Sequence, residues 1–167
     1  MMVVAMLPAF STSLNYPTAR LQLTNLLRTN PNQAEIVCRS MKGTFGEAIA
    51  MGMKTAAMTK MRDPAIIQQA IYPGYDAVAQ NIGSTFKQIL GKAKLAGMAL
   101  VGGLALAISS GTFPLLHILG GIFGAIAVGL VLMRKADAEN AVIHARRDLI
   151  PEAIRAMAEG RYAFPPG

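Results

Sequence analysis

The sequence predicts an all-α integral membrane protein, a two-helix transmembrane hairpin with amphipathic and polar helices on both flanks. Three observations carry this. Leu95–Met133 is a run of 39 residues without one Asp, Glu, Lys or Arg. The turn-forming stretch "SSGTFP" stands near its middle. The sequence on either side has the charge content and the Pro, Gly and Asn punctuation of ordinary helical protein.

In residues 1–34 there are two arginines, Arg20 and Arg28, and no acid. The composition resembles that of an organellar targeting segment. "MMVVAML" is too short to span a bilayer and Pro8 interrupts it. "TARLQLTNLLRTNP" predicts about three helical turns with Leu23, Leu26 and Leu27 grouped, ended by Asn30-Pro31. The expectation is a short interfacial or partner-docking helix.

Residues 35–80 read as a helical, non-membrane or peripheral region. The stretch 33–62 is helix-prone, with Met41, Phe45 and Ala48 at spacings of four and three, and Ala48, Gly52 and Ala56 continuing nearby. A third membrane helix over 43–58 would carry Glu47 and Lys54 near mid-membrane. Each would cost at least ~2.5 kcal/mol on insertion. Further on, Asp63 is a helix N-cap and Pro64 a first helical residue. Tyr72-Pro73-Gly74 predicts a turn, after which a helix runs from Asp76 into the membrane arm.

Residues 81–133 are the predicted hairpin, with its tip near 109–114. A single 39-residue helix would be about 58 Å long, whereas the hydrocarbon core is about 30 Å thick. Two antiparallel arms remove the mismatch, provided the chain turns midway. Gly111 permits unusual backbone angles, Pro114 disfavours helix at Phe113, and Ser109 and Ser110 can bond freed backbone groups. The first arm begins near Ile82, with Lys87, Lys92 and Lys94 snorkelling to the headgroups. The second, Leu115–Met133, ends at Arg134-Lys135. Lys92, Lys94, Arg134 and Lys135 are therefore the membrane-boundary charges. By the positive-inside rule both termini lie on the cytoplasmic or matrix side.

Within the arms, small residues recur every four positions: Ala99, Gly103 and Ala107 in the first, Gly121, Ala125 and Gly129 in the second, with Gly120 and Gly124 forming a GxxxG beside them. Residues four apart share a helix face. In lipid, close backbone approach along such a face drives helix association, so these eight residues are the predicted helix-packing positions, the stripes facing each other or different partner chains. Residues 134–167 read as polar helices, one continuing the second arm to a break near Pro151 and one ending about Gly160. "RYAFPPG" follows as an extended tail.

The net charge of +7 comes from 16 basic and 9 acidic residues. No basic run exceeds two residues and Trp is absent, which argues against a nucleic-acid surface. Cys38 is the one cysteine and reads as a small buried apolar residue. His117 near the tip is a candidate haem or chlorophyll ligand. His144, the other histidine, lies outside the apolar run, so no bis-histidine pair at one depth forms. There is no P-loop, GxGxxG or HExxH motif, and neither arm carries a carboxylate of the kind that marks a proton path.

Two small-residue-rich spans behind a long N-terminal region resemble conjugative pilins in outline. The tip in that family carries a basic residue, and none stands between Leu95 and Met133; the polar C-terminal extension departs as well. No family is assigned on this basis. The expected role is a non-catalytic accessory subunit of a larger membrane assembly of the energy-converting, respiratory or ATP synthase type. Its partners would be other membrane subunits and lipid, with no cofactor, metal, nucleic acid or small-molecule substrate. The mitochondrial inner membrane is the favoured location, a bacterial inner membrane or a viral membrane the alternatives. The alternative role is a hairpin component of a secretion, conjugation or viral membrane assembly.

Overall fold

The computed structural model describes residues 16–109 and 115–163. Among them there are six helices and no strand: α1 Tyr16–Thr29, α2 Pro31–Ser40, α3 Phe45–Ala57, α4 Pro64–Ser109, α5 Leu115–Asp148 and α6 Ile150–Ala158. The chain divides into two compact units. One contains Ser84–Asp137; the other contains Thr12–Gly83 and Ala138–Gly167.

Local chemistry sets the helix ends of the second unit. Asn30 caps α2 by accepting from the Gln33 N–H at 3.2 Å, and Pro31 occupies the first turn. Gly43 takes a positive φ of 72° between α2 and α3. Thr44 then caps α3 by accepting from the Gly46 N–H, and Glu47 reaches back to accept from the Gly43 N–H at 2.6 Å. The two side chains of this Thr-x-x-Glu sequence thus tie down two free amides, as in a capping box, though on the neighbouring Gly46 and Gly43 N–H groups and not on each other's. Asp63 caps α4 through the Ala65 N–H at 2.8 Å. Gly160, φ 74°, closes α6: its N–H bonds the Met157 carbonyl and the Arg161 N–H bonds the Ala156 carbonyl. That pair of bonds is a Schellman closure, for which the left-handed glycine is required.

The core of this unit is built from all six helices. Leu23 and Leu27 of α1, Ile49 and Met53 of α3, Ile67, Ile71 and Tyr75 of α4, and Ile150 and Met157 of α6 are fully buried, with Ala141 and Ala145 of α5 and Ala34 and Cys38 of α2. Burying each large side chain contributes roughly 1.5–3 kcal/mol. The leucines of α1, grouped in the sequence as a membrane- or partner-facing stripe, are taken up by this core instead. Likewise α3, 13 residues long, is enclosed on Phe45, Ala48, Ile49, Met53 and Ala56. It is short of the ~20 residues a span requires.

α4 passes through Tyr72-Pro73-Gly74 without a turn, with Pro73 inside the helix. The sequence predicts a break there, because proline removes one helical hydrogen bond and crowds the preceding turn. Packing reverses that preference. Ile71 and Tyr75, either side of Pro73, are both fully buried, and the Tyr75 hydroxyl donates to the Val142 carbonyl at 2.5 Å. Gly74 lies so close to α3 that a Cβ there would stand 2.9 Å from the Met51 carbonyl oxygen.

In the same unit α4 and α5 are antiparallel neighbours. Arg146 pairs with Asp76 at 3.1 Å and lies 4.8 Å over the Tyr72 ring. Tyr75 meets Val142, and Glu139 lies beside Gly83. The C-terminal residues strap α1 and α2. Arg161 donates to the Leu27 and Arg28 carbonyls at the end of α1, Tyr162 donates to Glu35 at 2.6 Å, and the Ala163 N–H donates to Asn32.

Candidate membrane-embedded segment

The unit Ser84–Asp137 is built from the second half of α4 and the first two-thirds of α5. Leu, Ile, Val, Met and Ala dominate, and Gly and Ala keep the helices slim. On α4, Phe86, Ile89 and Ala93 are buried, and Ala96 and Gly103 half-buried. On α5, Gly124 and Val131 are buried, and Gly120, Ala127 and Val128 half-buried. Spacings of three and four put each set on one helix face.

Most of the other apolar side chains described in this unit are exposed. Leu95, Met98, Val101, Leu106 and Ile108 stand out from α4. Ile118, Leu119, Ile122, Phe123, Ile126, Leu130, Leu132 and Met133 stand out from α5, Phe123 at 64%. One helical stretch among the described residues, Ile118–Ala158, is long and apolar enough to cross a membrane, and only 11% of its apolar window is buried. It runs through α5 and, past the break at Leu149, α6. A core helix of a water-soluble protein would be mostly covered. Exposed apolar surface on this scale marks an interaction with lipid or another protein.

The eight small residues read from the sequence as helix-packing stripes lie in unlike surroundings. Gly124 is buried and Gly103 and Gly120 are half-buried. Ala99, Gly121, Ala125 and Gly129 are exposed, and nothing lies within 4 Å of a Cβ placed at Gly121 or Gly129. The side chain of Ala107 lies outside the described residues. The physical reason is the 100° step between neighbours: Gly120-Gly124 joins the buried line of α5, and Gly121-Ala125-Gly129, one residue on, turns away from it. Ala127, Val128 and Val131, which complete the buried line, escape a search for glycines, yet their three- and four-residue spacing from Gly124 is readable in the sequence.

Of the predicted tip near 109–114, residues 110–114 lie outside the described residues, as does the side chain of His117, while Ser109 is the last residue of α4. The helices stop and restart on either side of 110–114, at Ser109 and Leu115. The boundary residues Lys92, Lys94 and Arg134 are exposed and Lys135 half-buried. His144 stacks on the Tyr16 ring, centroids 5.8 Å apart, in the second unit. Among the described residues no three His, Cys, Asp or Glu side chains cluster as metal ligands. Burial pushes the Cys38 thiol up to about 12, with Glu35 adding to the shift, so it stays a neutral thiol at physiological pH. No known protein family, curated protein or solved structure matches the chain.

Proposed function

We propose that the chain is a non-catalytic, helical membrane subunit of a larger assembly, anchored by an antiparallel pair made of the second half of α4 and the first part of α5. The observation that carries this is the uncovered apolar length of α5, which water would not tolerate and a bilayer would. Support for pairing comes from the second unit, where the two helices are already antiparallel through Asp76–Arg146 and Tyr75–Val142. Both helices continue unbroken from there into the apolar run. The basic residues lie at the outer ends of both arms and none lies between Leu95 and Met133, which favours both outer ends on the cytoplasmic or matrix side. The open Gly121-Ala125-Gly129 face is the surface offered to a partner helix. An energy-converting inner membrane remains the proposed setting, resting on the acid-free composition of 1–34. The described part of that segment is core helix.

Single cysteines at Gln68, Gly111 and Glu159, in a Cys38→Ala background, test the anchor. With an impermeant maleimide on sealed vesicles, Gln68 and Glu159 should label from one side and Gly111 from the other. Labelling of Gln68 together with Gly111 means that α5 alone crosses; all three on one side removes the membrane-spanning reading. Native gels of mildly solubilised membranes test the assembly. The chain should co-migrate with unlike subunits. A homopolymeric ladder would instead favour the secretion or conjugation type of assembly.

A further inference from the structure

The unit Ser84–Asp137 has a lopsided charge distribution. It holds five cations, Lys87, Lys92, Lys94, Arg134 and Lys135, and one acid, Asp137. All six lie in its two polar margins. Lys87, Lys92, Lys94 and Arg134 are exposed, and among the described residues none of these four has an ion-pair partner. In the second unit acids are far more plentiful, eight against eleven cations, and Arg20, Arg28, Arg39, Arg146 and Arg161 are each paired with a carboxylate. Lys87 and Lys94 each follow a buried residue, Phe86 and Ala93, by one position, a 100° step that turns them out of the buried line of α4 to the exposed surface beside it. Each margin passes at once into exposed apolar surface: Leu95 and Met98 follow Lys94, and Leu130, Leu132 and Met133 precede Arg134.

Exposed positive charge without an ion-pair partner among the described residues, set against a surface that needs hydrocarbon, matches one occupant on both counts. That occupant is an anionic phospholipid, phosphate on the cations and acyl chains on the adjoining apolar side chains. A nucleic acid or acidic peptide would satisfy the charge and leave the apolar border in water. We infer that Lys87, Lys92, Lys94 and Arg134 form a binding surface selective for anionic phospholipid headgroups at the basic margin of the membrane segment. This rests on the membrane reading above. It adds a headgroup preference that spanning a bilayer does not require, since many spans end in zwitterionic lipid without selecting it.

The test is spin-label electron paramagnetic resonance on the full chain reconstituted in phosphatidylcholine. Phosphatidylglycerol and phosphatidylcholine, each labelled on the acyl chain, are compared for their share of the motionally restricted, protein-contacting population. One cation near an anionic surface is worth about a fivefold preference. The expected result is therefore at least a fivefold enrichment of labelled phosphatidylglycerol over labelled phosphatidylcholine, reduced by high salt. Millimolar inorganic phosphate should leave it unchanged. The variant with Gln at all four positions should lose the enrichment and keep its restricted phosphatidylcholine population, which shows it still inserted. Equal shares for the two lipids with the natural chain, or enrichment that survives the fourfold replacement, overturns the inference and leaves the anchor standing. Absence of any restricted population overturns the membrane reading itself.

Discussion

Tyr162 shows what one residue near the end of the chain contributes. Its ring is buried in the second unit and its hydroxyl donates to Glu35 of α2, while neighbouring Arg161 bonds the last carbonyls of α1. Desolvation first, then the hydrogen bond to Glu35 and its negative charge, hold the phenol well above its ordinary value of 10. Tyr16 is pushed up to about 12 by burial and by Asp148, and Tyr75 is raised mainly by burial. A group whose pKa is higher folded than unfolded supports folding fully below the unfolded value and loses that support as pH rises through the folded one. Stability of the second unit should thus begin to fall near pH 9, where Cys38 ionises in the unfolded chain, and fall more steeply above about pH 10, where the tyrosines do. Tyr162→Phe should cost about 1.5–3 kcal/mol at neutral pH, the worth of a hydrogen bond to a charged acceptor, and make the alkaline fall shallower. Urea unfolding followed by circular dichroism across pH measures both. An unchanged alkaline slope in the variant would remove Tyr162 from the cause.

At the scale of the element, α4 is the instructive case, since two of its glycines sit in opposite surroundings. A Cβ at Gly74 would stand 2.3 Å from the Thr55 Oγ1 and 2.9 Å from the Met51 carbonyl oxygen, whereas nothing lies within 4 Å of one at Gly91. The Thr55 hydroxyl could rotate away, but the Met51 carbonyl belongs to the α3 backbone and can yield only if the helix shifts. Gly74→Ala should therefore destabilise by about 1–3 kcal/mol through overpacking. Gly91→Ala should stabilise by roughly 0.5–1 kcal/mol, the usual gain from replacing a helical glycine. Thermal unfolding of the two variants in detergent gives the comparison. If Gly74→Ala also stabilises, contact with α3 is not what keeps α4 helical through Pro73.

For the whole molecule, the two glycine registers of α5 separate folding from the proposed assembly. Gly124 is buried, so Gly124→Ile forces a branched side chain into the chain's own packing and should lower its unfolding midpoint by the equivalent of about 1–3 kcal/mol. Gly121 faces open space. Gly121→Ile should leave the solubilised chain as stable as before, inserted equally well since Ile partitions into lipid, and missing from the assembled complex. Scanning fluorimetry and native gels read the two outcomes separately. Normal assembly of Gly121→Ile would mean that the open face carries no partner and that its small residues reflect composition.

Much of this architecture follows from short-range chemistry that one sequence carries by itself. The uncharged length of Leu95–Met133, the caps at Asp63 and Asn30-Pro31, the helix end at Ser109 and helix start at Leu115, the break beside Pro151 and the stop at Gly160 all act within a few residues of where they are written. The Thr44-x-x-Glu47 box is equally local and was there to be read, although Met41, Phe45 and Ala48 line up as one stripe across it. Tertiary structure decided what depends on distant partners. It placed the α1 leucines in a core of the chain's own making. It kept α4 helical through Pro73, because the fully buried Ile71 and Tyr75 on either side anchor that segment against a local loss of about 3 kcal/mol. It also separated Gly124 from Gly121. Adjacent helical residues point 100° apart, and only the position of the neighbouring chain determines which of two equally small stripes is covered.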